Sequence, residues 1–310
     1  MVNSPVLSWF NGQAHDTLSV SDRGLQYGDG FFTTILVVDD FILNWASHWR
    51  RLQNSVQSLA FPELDEQQLL NQIKQVLQSS ITKLTLNCPT KVLKLIVTRG
   101  EAGRGYQIPN EVQTNLIIQL SKAPAQLQLQ CVENELTLTV PDSIEEAVAL
   151  DVNLCKTEAG IQSQLAGIKH LNRLENVLAR TEVVNRGQQE GLMVNALQNV
   201  ISGTQSNLFL IKGSDLVTPN LNLSGVEGTT RYQLSLMAEE LGLNWQVLDI
   251  TLEDLRQTDE LFLANAVRGI MPIQILEGRA YPIEQGQKIQ AAWLKVQAEN
   301  VLNIENIKLS

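Results

Sequence analysis

The sequence predicts a mixed α/β (α+β) fold in two domains, and three observations carry that prediction. The chain has 310 residues, enough to bury two separate hydrophobic cores. Strand-like and helix-like patterns occur in both halves rather than in separate blocks. Between the halves lies SKAPAQ, residues 121–126, a run of small residues with a proline that reads as a linker. The expected division is a smaller N-terminal domain over 1–122 and a larger C-terminal domain over 127–310, joined at 121–126.

The elements follow in order. HWRRLQNSVQSLA (48–60) and DEQQLLNQIKQVLQ (65–78) read as helices, the second placing Leu69, Leu70, Ile73, Val76 and Leu77 on one face. KVLKLIVTRG (91–100) and NLIIQL (115–120) are β-rich runs bounded by glycine or polar residues, and are expected strands. ELTLTV (135–140) and AVALDVNLC (147–155) extend the pattern past the linker. GIKHLNRLENVL (167–178) sets Lys169 just ahead of a helix, and Leu171, Leu174, Val177 and Leu178 recur at three- and four-residue steps, which predicts one buried stripe. LFLIKGSDLVTP (208–219) is two apolar runs around Lys-Gly-Ser-Asp, a hairpin signal. TTRYQLSLMAEELG (229–242) is an expected helix closed by Gly242. LFLANAVRGIMPI (261–273) reads as strand, turn and second apolar run, and KIQAAWLKVQAENVL (288–302) as a terminal helix.

Composition narrows the function. The net charge of -10 argues against nucleic acid or an anionic membrane as partner, because both need a basic face. Cys88, Cys131 and Cys155 are far apart, no CxxC occurs and only three histidines are present, so neither a metal site nor a disulfide framework is expected. The first residues, MVNSPVLSWFNGQAHD, lack the basic start and apolar core of a signal peptide, and a reducing cytoplasm is the expected compartment.

Four stretches have the residue types that chemistry uses. SDRGLQYGDGFFTTILV (21–37) packs Gly24, Gly28 and Gly30 around Tyr27 and Asp29 before an apolar run containing Thr33 and Thr34. Such glycine density means a tight turn or a backbone crowded against something, and it matches neither the dinucleotide nor the P-loop fingerprint. TRGEAGRGY (98–106) follows a strand and offers Arg104 and Tyr106, either as a clamp for a carboxylate or as a solvated turn. SGVEGTTRY (224–232) opens a helix with glycines and threonines, either an anion site or a plain N-terminus. LANAVRGIMP (263–272) is a small-residue turn suited to close backbone approach.

Taken in this order, with LAGIKHLNRLENVLAR, SNLF and TP, these stretches resemble the fold-type IV pyridoxal-phosphate enzymes from about residue 8 to about residue 275. That group includes aminodeoxychorismate lyases, branched-chain aminotransferases and D-amino-acid aminotransferases, and KHLNRLENVLAR together with GRGY is most similar to the lyase members. The resemblance implies a D-amino-acid-aminotransferase-like fold, pyridoxal 5'-phosphate as cofactor, a small-molecule substrate and a homodimer. It makes Lys169, within the C-terminal domain, the lysine that bonds the cofactor aldehyde, with Asn172 and Glu175 lining or bracing its pocket. Arg51, rather than Arg50, matches the phosphate-binding arginine, and the N–H groups around Gly228, Thr229, Ala266 and Val267 would complete the phosphate cup. Arg104 and Tyr106, with Tyr27, fall where relatives bind substrate. Thr34, with Thr33 as second choice, fits a hydroxyl near the reacting side chain. One departure stands out: NVISGTQSNLF (199–209) has Ser202 where relatives carry the glutamate that pairs with the ring nitrogen, and no acid anywhere in the stretch. An unprotonated ring is a weaker electron sink, which disfavours transamination more than a lyase reaction driven by aromatisation.

Overall fold

A computed structural model describes residues 5–14, 17–86, 88–101, 105–124, 129–132, 135–138 and 149–307. The chain forms two compact units: one comprises 1–139, 169–172 and 297–310, the other 140–168 and 173–296.

The first unit is built on an antiparallel sheet of seven strands. Their order is Val301–Asn303, Phe41–Leu43, Gly30–Val38, Thr90–Thr98, Asn115–Lys122, Leu7–Phe10 and Gln13–Ala14. Strand alternation sends Phe31, Thr33, Ile35 and Val37 to one face of Gly30–Val38, where helices Trp45–Ser58 and Glu66–Gln78 cover them. The five apolar positions that periodicity puts on one side of 65–78 are all buried there, and Asp65 caps that helix by accepting from Gln68 N–H at 2.9 Å. Ser121 and Lys122 are strand residues paired with Val92 and Lys91, so the first third of the expected linker belongs to the sheet. Residues 125 and 126 of that linker lie outside the described residues, as do the ends of the expected strands at 139–140 and 147–148.

The second unit holds a nine-stranded mixed sheet. Strands run in the order Val200–Gly203, Glu190–Val194, Leu150–Leu154, Gly269–Leu276, Glu260–Asn265, Asn207–Lys212, Asp215–Pro219 and Asn244–Leu248, with Arg279–Ala280 paired to Gly269–Leu276. A further pairing, Ser202 against Asn207, joins the first strand to the sixth and closes that part of the sheet into a ring. Its filling is aliphatic: Leu150, Val152, Leu192, Leu208, Leu263 and Met271 are among the buried residues of one cluster. The hairpin expected at 208–219 is present, with Gly213 at φ +57° in its turn. The helix expected over 229–242 ends at Met237; residues 238–242 are turn, closed by Gly242 at φ +70°. The terminal helix spans Glu284–Glu299, and the chain then returns as Val301–Asn303 to pair with Phe41–Leu43.

The stripe expected to be buried behind Lys169 is the clearest correction. The helix there spans Leu174–Asn185 and buries only Ala179 and Val183. Leu174, Val177 and Leu178 are 70%, 57% and 52% exposed, and Val184 on the same face is also exposed. Leu171 lies before the helix altogether, in the first unit. The spacing is that of a stripe, but among the described residues nothing covers it.

Candidate active site

Lys169 is placed by backbone pairing. Leu171 N–H donates to Gly30 O and Phe32 N–H to Lys169 O, both at 3.0 Å, and Phe31 and His170 form an antiparallel bridge. Residues 169–171 thus take the edge of strand Gly30–Val38 that Phe41–Leu43, paired only at Val37 and Val38, leaves open. This explains why Lys169–Asn172 belong to the first unit although the expectation put the lysine in the C-terminal domain: two long-range hydrogen bonds bind them there. Asn172 braces this arrangement, donating from Nδ2 to Gly28 O at 3.1 Å. Gly28 caps helix Arg23–Tyr27 at φ +64°, and a Cβ there would strike the Asn172 amide.

The Lys169 ammonium lies 4.6 Å from the centre of the Phe32 ring, a cation–π contact. Thr34 shares that strand face by alternation and is half-buried. Thr33 is on the opposite face and fully buried, with Oγ1 2.6 Å from His48 Nδ1. Arg51 Nη1 donates to the same oxygen at 3.5 Å. The arginine can only donate, so the Thr33 hydroxyl accepts from it and shares its other hydrogen bond with the His48 ring. His48 and Arg51 are three residues apart on one helix, hence on one face, a spacing visible in the sequence that would have found His48.

Burial holds the His48 pKa well below its ordinary value of 6.5, and the positive charges of Arg51 and Lys169 add to the effect. The sign follows from linkage. As pH falls below 6.5 the unfolded chain takes up the His48 proton before the folded one does. The stability this residue contributes is therefore complete above that value and is lost as pH falls below it, until the folded pKa is reached. We expect His48→Gln to lose less of its urea midpoint than the wild type between about pH 7.5 and about pH 5.5. Equal losses would show that His48 does not set the slope.

The residues expected to bind substrate are Tyr27, Tyr106 and Arg104. Tyr27 and Tyr106 meet edge to face with centroids 5.3 Å apart, although Tyr106 is 85% exposed. Arg104 lies outside the described residues.

In the second unit, helix Thr229–Met237 begins at Gly228 without a side-chain cap. The hydroxyls of Thr229 and Thr230 are buried and make no hydrogen bond. A Cβ at residue 228 would collide with Asn207 Oδ1, so the close approach requires glycine. Uncapped first-turn N–H groups with two unused hydroxyls are a donor set that suits a phosphate dianion. The chain therefore fits a phosphate-bearing cofactor on its own geometry. Glu227, the acid of that loop, is 3.9 Å from Arg231 Nη1 and pairs with it. At the other turn, Asn265 Oδ1 accepts from Val267 N–H at 3.0 Å and from Arg268 N–H at 2.8 Å. The N–H of Val267, expected to point at an anion, is thus engaged inside its own turn, because an asparagine side chain reaches it first.

Ser202 is buried on strand Val200–Gly203, opposite Met193 and Asn207. Residues 199–209 contain no acid, yet Glu190, at the start of the neighbouring strand, is 1% exposed. Its carboxylate accepts from Thr204 N–H at 2.9 Å, Gly191 N–H at 3.2 Å, Gln205 N–H at 3.3 Å and Ser206 Oγ at 2.9 Å, and also from Thr204 Oγ1. It holds the turn after Ser202, and its acceptor sites are taken up by that turn. Glu175, expected to line or brace the pocket, accepts from Gly160 N–H at 3.0 Å. Asn176 donates to Thr204 O at 3.0 Å.

With a lysine set on a strand edge and a phosphate-type helix N-terminus in place, comparison with known proteins gives the class. The chain belongs to the amino-transferase class IV family, which matches it over residues 30–276. Among its relatives, the aminodeoxychorismate lyase of Vibrio harveyi is 33% identical over 267 residues, 86% of this chain and 89% of that one. The solved 4-amino-4-deoxychorismate lyase of Pseudomonas aeruginosa is 35% identical with a TM-score of 0.79, covering 93% of this chain and 98% of that one. The branched-chain-amino-acid aminotransferase of Escherichia coli is 25% identical over 299 residues, 92% of this chain and 91% of that one.

Proposed function

We propose that this protein is a pyridoxal 5'-phosphate-dependent lyase that converts 4-amino-4-deoxychorismate to 4-aminobenzoate and pyruvate, a step of folate synthesis. The observation that carries the reading is identity of 33% and 35% to two such lyases over most of the chain, against 25% to the aminotransferase. The alternative, transamination of branched-chain or D-amino acids, rests on that more distant similarity.

When bound, the cofactor supplies an aldehyde that bonds an amine and a ring that withdraws electrons from the carbon bearing it. Lys169 Nζ is the amine that would hold this aldehyde. With that amine free, Lys169 Nζ would act as general base on the ring proton at the carbon bearing the substrate amine. The carbon–oxygen bond to the enolpyruvyl group breaks, the ring becomes aromatic, and Lys169 Nζ or Thr34 Oγ1 delivers a proton to the departing side. Arg51 and the donors of Gly228, Thr229 and Ala266 bind phosphate; Val267 contributes less, its N–H being held by Asn265. Arg104 holds a substrate carboxylate, with Tyr106 and Tyr27 against the substrate. Ser202 is assigned to the ring nitrogen, where a hydroxyl offers one hydrogen bond and no negative charge; Glu190, occupied by the 203–206 turn, is not the substitute.

The test is a coupled assay in which purified protein with pyridoxal 5'-phosphate receives enzymatically generated aminodeoxychorismate, and 4-aminobenzoate is followed by fluorescence. Product formation would also show that a serine suffices at the ring nitrogen. No product, from protein that bleaches its cofactor absorbance with amino acids, would transfer the assignment to the aminotransferase.

The partner is a second copy of the chain, and the compartment the cytoplasm. Among the described residues no helix is long and apolar enough to cross a membrane. The exposed stripe of Leu174, Val177, Leu178 and Val184 is a row of large apolar side chains at helical spacing, which water alone does not favour. Leu174→Asp with Leu178→Asp is expected to shift the protein from dimer to monomer in light scattering behind size exclusion. A dimer that persists would move the interface off this helix.

A further inference from the structure

Arg23 is buried in a helix of only five residues, Arg23–Tyr27, and what it holds is an exposed segment. Its Nε donates to Asp29 Oδ2 at 2.8 Å. Its Nη1 donates to Gly105 O at 3.0 Å and its Nη2 to Tyr106 O at 3.2 Å. The same guanidinium lies 5.1 Å from the Tyr27 ring centre, and Tyr27 is the ring that Tyr106 meets edge to face. One planar group therefore fixes the backbone beneath Tyr106 and the face of its aromatic partner.

The rest of the setting makes Arg23 rigid. Asp29 also accepts from Arg99 Nε, at 2.8 and 3.0 Å, and the Arg99 Nη atoms donate to Leu59 O at 2.7 Å and Ala60 O at 2.9 Å. Asp22, next to Arg23, accepts from Thr98 Oγ1 at 2.7 Å and Asn115 Nδ2 at 2.8 Å. The held segment has no such support of its own: Gly105, Tyr106, Gln107 and Ile108 are all exposed, so apolar burial does not fix them. A long polar fork committed to two carbonyls of a solvent-exposed turn is a device for aiming what that turn carries.

We infer that Arg23 is a positioning residue for substrate recognition, acting through Tyr106 and Tyr27, in the lyase reaction proposed above. It touches neither the reacting atoms nor the cofactor; it sets the place of an aromatic pair against which a ring-bearing substrate packs. Recognition that depends on a pre-set pair is lost mainly in binding when the pair is released.

The experiment compares wild type with Arg23→Lys, which keeps the charge beside Asp29 but cannot hold two carbonyls and the carboxylate in one plane. Two readouts are taken on the cofactor-loaded protein. Tryptic cleavage at the Arg104–Gly105 bond, which needs no substrate, should speed up about tenfold. KM for aminodeoxychorismate should rise about tenfold while kcat stays within about threefold. In a Tyr106→Ala background, Arg23→Lys should add little to KM, because both changes remove one element. A fall in kcat at unchanged KM, or faster cleavage with KM unchanged, would overturn the inference, as would additive effects in the double variant. If Arg23→Lys does not fold, Tyr106→Ala and Tyr27→Leu carry the test, and an unchanged KM in either overturns it. A wild-type protein that makes no 4-aminobenzoate indicts the lyase reading itself, whereas a failure confined to the variants indicts Arg23.

Discussion

Lys169→Ala is expected to give a folded protein that makes no detectable 4-aminobenzoate. The general-base contribution alone is about two to four orders of magnitude in rate, and the lost bond to the cofactor aldehyde adds to it. The near-visible absorbance given by the lysine–cofactor bond should vanish at the same time. The fold should survive because what residue 169 gives the structure is its backbone: Phe32 N–H donates to the carbonyl, and alanine keeps that bond. The side chain is half-buried, and its cation–π contact with the Phe32 ring is worth about 0.5–1 kcal/mol where solvent reaches it. Melting temperatures within a few degrees of each other, with activity and absorbance both lost, are the expected result. Absorbance that survived the substitution would move the cofactor bond to another lysine. Lys94, whose ammonium lies 4.9 Å from the same Phe32 ring, would be examined next.

How much of this was legible in the sequence depends on the range of each interaction. Local periodicity marks helix Glu66–Gln78 and its buried side, because the residues that make the pattern are the ones that pack. The hairpin at 207–219 is equally local, set by its turn residues. The stripe at Leu174, Val177 and Leu178 shows the limit of that logic. A period says that a face is apolar, not whether the surface covering it comes from this chain. Lys169–Asn172 join the first unit through bonds to Gly28, Gly30 and Phe32, some 140 residues away, and no local signal encodes such pairing. The small residues of 265–268 suggest a row of available N–H groups, but the asparagine that begins the turn competes for them. Glu190 carries no local signal because it lies on the neighbouring strand, whose antiparallel pairing with Val200–Gly203 sets it against the 203–206 turn.

That glutamate carries the second large expectation, Glu190→Ala. Five donors converge on one buried carboxylate: four from the 203–206 turn, the N–H groups of Thr204 and Gln205 with the hydroxyls of Thr204 and Ser206, and a fifth from Gly191 N–H on its own strand. Truncation leaves these buried donors without their acceptor. An unsatisfied buried donor costs about 1–3 kcal/mol, and hydrogen bonds to a charged acceptor are among the stronger ones. Relaxation of the turn and entry of water recover part of the loss, so a net destabilisation of about 3–5 kcal/mol is expected. Glu190→Gln should cost less, since its carbonyl oxygen keeps one set of partners while the new amide meets donors on the other side. The measurement is the urea midpoint of cofactor-free protein, with the order wild type, Gln, Ala. The same series should weaken pyridoxal 5'-phosphate binding, because the turn that Glu190 holds joins Ser202 to Asn207, and Asn207 in turn donates to Val226 O just ahead of the Gly228 N-terminus. A midpoint that did not move in Glu190→Ala would mean that water satisfies the turn as well as the carboxylate does. The turn would then have to be ordered by the strands alone, and the buried charge would need another explanation.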